Sequence, residues 1–308
     1  MNHQAATLFS ALQALRKDYF LWALLGLLIL LTAAKPGQLA FYPGLVNWQT
    51  IAALTGLLVL TKGVEFSGYL HHLGKRLILR MPTDRAMALF LVLAAALLST
   101  LLTNDVALFI VVPLTVSLRA VSTVPVTRLV VFEALAVNAG SALTPIGNPQ
   151  NLFLSQLSQV PFHQYVGAML PLALIFLVPL LLLTACVFSG RTIDMSGDVG
   201  LPPRNKRLLY LSLALYFPFL VCIDLHQAEA AVMGVLGIFL VAYRGILARV
   251  DWALILVFML MFVDMRLVAQ EPVVQAFIGQ LGLGDPHQLF LAGVGISQLI
   301  SNVPAAIL

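Results

Sequence analysis

The stretch 143-LTPIGNPQNLFL-154 places two prolines, one glycine and two asparagines inside an apolar part of the chain. Proline removes a backbone hydrogen-bond donor and glycine loosens the chain, so a helix that crosses a membrane should avoid this combination. The pattern predicts a broken helix, and we expect the break at 144–149 to be the functional element. The alternative is that Pro145 and Pro149 only kink a packed helix, although one proline usually suffices for a kink.

The composition of the whole chain is that of a membrane protein. Of its 308 residues 60% are hydrophobic and 10% are charged, and the mean hydropathy is +0.98. Soluble domains carry about 25% charged residues, so most of this surface cannot face water. A formal charge of +4 is weak support for nucleic-acid binding, and we expect no such partner. Cys186 and Cys222 lie alone in apolar segments, so we expect neither a disulfide framework nor a metal site.

Apolar runs long enough to cross about 30 Å of hydrocarbon, or nearly so, recur along the chain. They lie near 19–34, 45–62, 129–160, 165–188, 207–223, 228–243, 251–265 and 288–308, with shorter runs at 86–103 and 106–118. If the N-terminus is cytoplasmic, only Lys35 and Arg266 of the 17 lysines and arginines fall on the outer side. The positive-inside rule therefore predicts a multi-pass protein of a bacterial-type inner membrane with a cytoplasmic N-terminus.

The two shorter runs flank the polar triplet Thr103-Asn104-Asp105. Segment 86–118 can cross twice or dip in and return, since both bring the chain back inside. Each arm of about 16 residues rises only about 24 Å, and an aspartate at the turn is better explained at a buried or wet midplane. We therefore favour a re-entrant helical hairpin with its tip deep in the protein.

The chain contains an internal repeat. Segment 47-NWQTIAALTGLLVLTK-62 aligns without gaps on 251-DWALILVFMLMFVDMR-266, and 103-TNDVALFI-110 aligns on 301-SNVPAAIL-308. Five crossings separate the two hairpins, so the second must enter from the opposite side. Two oppositely oriented copies of one unit are typical of secondary transporters. The alternative is coincidence in a leucine-rich sequence.

These patterns predict an all-α polytopic membrane protein: an inverted-repeat transporter with re-entrant helical hairpins and broken transmembrane helices. The first repeat is predicted over 1–188, a cytoplasmic linker over 189–206, and an incomplete second repeat over 207–308. Within the first repeat we expect scaffold spans at 19–62, a hairpin at 86–118, a broken helix at 127–160 and a span at 165–188.

The break and the hairpin tips supply the candidate binding groups. Irregular backbone inside a bilayer survives only where it is buried in protein or lines a wet cavity. Its exposed carbonyls suit a cation such as sodium, and the ends of half-helices suit an anion. Asp105 and Glu133 are the proton-coupling candidates, although Asp105 can be a structural partner and Glu133 can pair with Arg128 or Arg119. The candidate ion- and substrate-binding residues are Thr103, Asn104, Asp105, Asn138, Gly140, Ser141, Thr144, Pro145, Gly147, Asn148, Asn151, Ser301 and Asn302.

The triplet 103–105 followed by Pro113, together with 138-NAGSALTPIGNPQN-151, resembles the ion transporter superfamily. This superfamily includes arsenite permeases, divalent-anion/sodium symporters, citrate transporters and one class of sodium/proton antiporters. The resemblance spans nearly the whole chain. It implies that hairpin tips and Gly-rich breaks bind sodium and substrate, one set per repeat, and that the protein is a homodimer. Thr103 and Asn104 match the first two positions of the Ser-Asn-Thr tip, and Ser301 and Asn302 match them in the second repeat.

The third tip position departs from the symporters. Asp105 and Val303 stand where the dicarboxylate carriers have threonine. An acid at the tip would repel a dicarboxylate, so the tip is more similar to the arsenite-permease branch. The resemblance also predicts a further arm, a second broken helix and a final span of roughly sixty to eighty residues. We therefore expect the chain to be a fragment or its described part to stop early.

The function expected from these observations is secondary active transport of a small anion or a neutral oxyacid, of arsenite, silicate or carboxylate type. Sodium or proton would be the coupling ion, with no other cofactor and no metal. A sodium/proton antiporter that exchanges its proton at Asp105 is the first alternative. A membrane scaffold or an enzyme is the weaker one, because an intramembrane hydrolase needs a nucleophile with a histidine or paired aspartate at membrane depth. No histidine falls inside a predicted span.

Overall fold

A computed structural model describes residues 19–78, 80–117, 125–192 and 203–308. These residues are almost entirely helical, and among them the only strand-like pairing is one isolated bridge between Thr83 and Thr192. The all-α prediction is confirmed. Spatial clustering divides the chain into two compact units, Met1–Ala52 with Asp251–Leu308, and Ala53–Val250.

The helices follow the predicted apolar runs closely. A six-residue 3₁₀ helix, Pro36–Phe41, is the exception to the α geometry of the described helices. In chain order they are α1 (Tyr19–Ala34), α2 (Tyr42–Leu45), α3 (Trp48–Phe66), α4 (Tyr69–Ile78), α5 (Asp84–Leu101), α6 (Asn104–Ser117), α7 (Val126–Ser141), α8 (Pro149–Ser158), α9 (Phe162–Val187), α10 (Lys206–Asp224), α11 (Ala228–Ala242), α12 (Arg244–Leu247), α13 (Trp252–Ala269), α14 (Pro272–Gln280), α15 (Pro286–Ile300) and α16 (Asn302–Ile307).

Within the described part of the chain, four helices (α5, α9, α10 and α13) are long and apolar enough to cross a membrane. Two bent pairs raise that number to six if each pair is one span. Tyr19–Ala34 and Pro36–Leu45 meet at 119°, and Trp48–Phe66 and Tyr69–Arg76 meet at 53°. The protein is therefore polytopic, as predicted.

The unit formed by 1–52 and 251–308 is built around α13, which packs against α1, α2 and α16. Helices α15 and α16 form a hairpin that turns at Ser301. The Lys35 ammonium at the end of α1 lies 2.6 Å from the carboxylate of Glu271, which precedes α14. This ion pair links the C-terminal end of α1 to the N-terminal end of α14.

The unit formed by 53–250 has its core where α7 packs against both arms of the α5–α6 hairpin and α9 packs on α5 and α7. Small side chains such as Ala95, Ala96 and Ala136 are fully buried along these contacts. Small residues let helix backbones approach closely, which is how helices associate where hydrophobic driving force is weak. The hairpin predicted at 86–118 and the broken helix predicted at 127–160 thus form one packed body.

The predicted repeat recurs in local structure. Asn47 accepts a hydrogen bond from the Thr50 amide (3.0 Å) before α3, and Asp251 accepts one from the Leu254 amide (3.1 Å) before α13. Both helices therefore begin with a side-chain N-cap at aligned positions. Helices α6 and α16 likewise both begin at the asparagine of the aligned Ser/Thr-Asn pair. The opposite orientation of the two repeats and the boundary between them stay predictions. The two compact units do not test them, because these units group residues by proximity in space and not by position in the chain.

Part of the predicted linker, residues 193–202, lies outside the described residues, as do Arg16, Lys17 and Arg119. The beginning of the predicted linker binds the N-terminus of α5. The Ser189 hydroxyl donates to the carboxylate of Asp84 at 3.2 Å, and the Asp84 amide donates to the Arg191 carbonyl at 3.1 Å.

Candidate functional site

The helix predicted to be broken is broken. Helix α7 ends at Ser141, a turn follows, and α8 begins after Asn148 with Pro149 in its first position. Proline suits that position because the first amides of a helix have no intrahelical acceptor. The Asn148 side chain accepts a hydrogen bond from the Asn151 backbone amide at 2.8 Å and so caps α8. Asn148 thus sets where the second half-helix starts.

The carbonyls that the break frees are bound mainly by one side chain. The side-chain amide nitrogen of Asn151 donates to the carbonyls of Ser141 (3.1 Å), Thr144 (3.2 Å) and Ala142 (3.4 Å). The Asn148 amide nitrogen also donates to the Ser141 carbonyl, at 3.4 Å. Each carbonyl oxygen has a second lone pair, so these bonds orient the carbonyls without using up their capacity to accept.

The hairpin tip meets the break directly. The Asn104 backbone amide donates to the Gly147 carbonyl at 3.0 Å. A second bond runs the other way, from the Thr144 hydroxyl to the Thr100 carbonyl at 2.7 Å. The first bond satisfies an orphan amide at the start of α6, and the second satisfies a carbonyl at the end of α5. Two irregular segments that are distant in the sequence therefore contact each other directly, and their role in binding an ion or substrate stays a prediction.

Two glycines permit this close approach. A Cβ atom at Gly140 would overlap the Ala96 carbonyl oxygen and lie 2.5 Å from the Ser99 hydroxyl. A Cβ atom at Gly147 would overlap the Ser141 carbonyl oxygen. Gly140 thus lets α7 contact the backbone of α5, and Gly147 lets the turn fold back on the end of α7.

The polar groups of the tip and break differ in exposure. Thr103, Ser141, Thr144 and Asn148 are buried, and the Thr103 hydroxyl oxygen has no hydrogen-bond partner within the described chain. Pro145 is buried beside them. The structure therefore gathers most of the predicted residues into a site with a buried, unsatisfied hydroxyl at its tip.

Two predicted residues lie on the outside of this site. The Asp105 side chain is exposed, so the buried alternative for it is wrong and the water-facing one stays a prediction. Asn138 donates to the Ala134 carbonyl of its own helix at 2.8 Å and does not contact the break through its side chain. It instead lines an apolar cavity of about 450 Å³ between α7 and α9, with residues such as Leu135, Phe176 and Leu180.

Glu133 is fully buried in α7. The Thr115 hydroxyl of α6 donates to one of its carboxyl oxygens, and the other oxygen is buried without a partner among the described residues. Arg128 is exposed and makes no ion pair with it, while Arg119 lies outside the described residues. The side chain that faces Glu133 is therefore a hydroxyl of the hairpin arm and not Arg128.

Sequence reasoning missed two partners of the site. One is Thr115. The other is Tyr216 of α10, whose hydroxyl donates to the Leu101 carbonyl at the end of α5. The sequence does contain a signal for both, which is a hydroxyl side chain in an otherwise apolar span. A buried hydroxyl nearly always has a hydrogen-bond partner. Neither partner could be assigned without knowing which helices are neighbours.

The second hairpin tip belongs to the other unit. Ser301 has φ of 76°, in the left-handed region, and Asn302 starts α16. Both side chains are exposed, whereas Val303 is buried. Ser301 and Val303 line a cavity of about 260 Å³ together with Asp251, the cap of α13.

Known proteins with similar sequences are transporters or membrane proteins. The inner membrane protein YbiR of Escherichia coli (strain K12) is 44% identical over 297 residues, which cover 96% of this chain and 80% of YbiR. The uncharacterized transporter MJ0456 of Methanocaldococcus jannaschii is 26% identical, with 92% of this chain and 76% of MJ0456 covered. The silicon efflux transporter LSI3 of Oryza sativa subsp. japonica is 30% identical over 143 residues, 46% of this chain and 30% of LSI3.

These relatives, together with the all-helical membrane architecture, define the class of the protein as a membrane transporter. The family described as "Citrate transporter" matches residues 10–308. The chain belongs to that family. The resemblance to the ion transporter superfamily is thereby confirmed.

Proposed function

We propose that this transporter is a secondary active carrier, which binds its substrate and coupling ion where the first hairpin tip meets the helix break. The observation that carries the proposal is the 3.0 Å hydrogen bond from the Asn104 amide to the Gly147 carbonyl. It joins two irregular backbone segments in one body, so both can move together across the membrane. Alternating access needs such a rigid unit that carries the site relative to a scaffold.

The substrate we propose is a small anion or a neutral oxyacid. The site offers neutral hydroxyl and amide groups from Thr103, Thr144 and Asn148, which suit an oxyacid with several hydroxyl groups. The exposed carboxylate of Asp105 beside the tip disfavours a ligand with two negative charges. LSI3 is named a silicon efflux transporter, and the family is described as citrate transporters. Silicic acid and citrate should therefore be tested side by side as substrates.

Sodium or proton is the proposed coupling ion. Carbonyls oriented by Asn151 offer oxygen ligands for sodium. Asp105 and Glu133 offer exchangeable protons, one exposed at the tip and one buried in α7 against Thr115 of α6. The second candidate function, sodium/proton antiport, is favoured by the exposure of Asp105, because an antiporter needs an acid that both protons and sodium can reach.

The proposed setting is a bacterial-type inner membrane with the N-terminus in the cytoplasm and two copies per assembly. The charge asymmetry of the sequence supports this orientation. The name of YbiR, an inner membrane protein, supports the location.

Transport in proteoliposomes of the full-length protein tests these proposals. Arsenite, silicic acid, citrate and succinate are screened under imposed sodium and proton gradients. We expect gradient-dependent uptake of an oxyacid or a singly charged anion. Sodium-dependent succinate uptake would show that the tip acid does not exclude dicarboxylates, and sodium/proton exchange with no other substrate would favour the antiporter.

The Asp105→Asn variant separates the two roles of the tip acid. If Asp105 exchanges the coupling proton, the variant loses proton coupling but continues to bind substrate. Proton coupling that is unchanged in the variant removes Asp105 from the mechanism and leaves Glu133 as the candidate, tested in the same way with Glu133→Gln.

A further inference from the structure

Asp264 is a fully buried acid in the C-terminal half of α13, a helix that could cross the membrane. Neither of its two carboxyl oxygens has a hydrogen-bond partner within the described residues. Buried charged groups are normally paired or bonded, because burial without a partner strongly disfavours the charged form. This side chain therefore needs an explanation that the hairpin tip and the break do not supply.

Among the described residues, the helices that pack most closely against α13 in its own unit offer no counter-charge. The helices that pack against it there, α1, α2, α14 and α16, contain no Asp, Glu, Lys, Arg or His. Their titratable groups are Tyr19, which is exposed, and Tyr42, whose hydroxyl lies 2.7 Å from the Thr32 hydroxyl. Arg266 follows Asp264 by two residues, so it points about 200° around the helix. Lys35 and Glu271 of the same unit pair with each other.

The residues next to Asp264 on α13 favour a proton over a metal cation as the partner of this carboxyl, and the described residues contain no cluster of three or more His, Cys, Asp or Glu side chains that could hold a metal. A hard cation requires a cluster of oxygen ligands. The positions one helical turn from Asp264 on α13 are Leu260, Met261, Leu267 and Val268, which supply none. A bound proton needs no further ligand, because the neutral acid is the form that apolar surroundings favour.

The internal repeat shows that packing does not require an acid at this position. In the alignment of 47–62 on 251–266, Asp264 corresponds to Leu60, which is fully buried in α3. An aliphatic side chain thus packs at the corresponding position of the aligned helix. An ionisable residue inside a membrane span, where a leucine would pack, indicates a functional role.

We propose that Asp264 is a proton-binding site, which holds a proton while it is buried and releases it to water when the transport cycle opens the surroundings of α13. The binding of the proton follows from the structure around Asp264. The release step rests on the proposed transport function and supplies a coupling proton from the second repeat, distinct from Asp105 and Glu133 in the first.

Infrared difference spectroscopy of the full-length protein tests proton binding without any transport assay. At neutral pH we expect a protonated carboxyl band that shifts in D₂O and is lost in Asp264→Asn. Asparagine matches the size and neutrality of the protonated acid, so the variant should fold, and Glu133→Gln is the control that keeps the Asp264 band. A spectrum in which Asp264→Asn removes an ionised carboxylate band instead would overturn the proposal.

Proton flux in proteoliposomes tests release. We expect substrate-driven proton movement to fall at least tenfold in Asp264→Asn, while substrate exchange between equal pools persists and Asp264→Glu restores proton movement in part. Unchanged proton flux in Asp264→Asn, or transport coupled to sodium alone, would refute the release step. If none of the substrates is transported, the proposed function fails, whereas the infrared band still decides whether Asp264 binds a proton.

Discussion

At the break between α7 and α8, single side chains replace the hydrogen bonds that a continuous helix would make. The side-chain amide of Asn151 donates to the carbonyls of Ser141, Ala142 and Thr144. Gly140 is needed for a different reason, because its missing side chain leaves room for the Ala96 carbonyl. The shape of the site therefore depends on one amide and one absent methyl group.

The Asn151→Ala variant should lose transport and stability together. Removing the side-chain amide leaves the carbonyls of Ala142 and Thr144 without this donor, while Ser141 keeps the bond from Asn148, and each unsatisfied buried group costs about 1–3 kcal/mol. Thermal unfolding in detergent and uptake in proteoliposomes measure the two effects. The control is Gln150→Ala, which deletes a neighbouring amide for which the structure shows no bond, and an equal loss in both variants would contradict the role of Asn151.

The Gly140→Ala variant should destabilise the protein by about 1–3 kcal/mol, the range observed for overpacking. The clash is with backbone, which cannot move aside as a flexible side chain can. Gly167→Ala is the matched control, since a Cβ at this helical glycine meets nothing within 4 Å and should stabilise by about 0.5–1 kcal/mol. Equal melting temperatures of the two variants would mean that α5 and α7 are not in close contact.

At the scale of elements, the hairpin α5–α6 is held by its neighbours at several points. The break binds its tip, Thr115 of α6 binds the buried Glu133, and Tyr216 of α10 binds the last turn of α5. These contacts explain how a short hairpin with polar groups at its tip can remain in one position. They also identify α10 as an element that can influence the site without lining it.

The Tyr216→Phe variant tests that influence. It removes the hydroxyl that donates to the Leu101 carbonyl and leaves the buried ring, so we expect a loss of about 0.5–1.5 kcal/mol in the free energy of unfolding. We also expect a weaker apparent substrate affinity, because the α5 end of the tip loses a restraint. Tyr210→Phe, at an exposed position of the same helix, serves as control. Identical transport by both variants would limit Tyr216 to a packing role.

At the scale of the molecule, the distribution of lysine and arginine predicts which loops face the cytoplasm. After replacement of Cys186 and Cys222 by serine, single cysteines are placed at Gly37 and Arg204, both exposed. A membrane-impermeant thiol reagent applied to intact cells should label Gly37→Cys and spare Arg204→Cys until the cells are opened. The reverse pattern would overturn the predicted orientation, and labelling of both would indicate a different number of crossings.

Much of this architecture could be predicted from sequence, because its causes are local. Long apolar runs require helices in a membrane, and Pro145, Gly147 and Pro149 disrupt one of them wherever it packs. The aligned caps Asn47 and Asp251 act within four residues, so the repeat they mark is visible in both sequence and structure.

The helices, the break and the polar residues beside it could be predicted from the sequence, since they depend on residues adjacent in the chain. The folded arrangement was needed to show that the Asn104 amide reaches Gly147, that Asp105 is exposed and that Thr115 faces Glu133. It also showed Asp264 buried without a hydrogen-bond partner among the described residues. The physical reason is that these relations depend on which helices lie side by side, and packing between largely apolar surfaces leaves little pattern in the sequence of either helix.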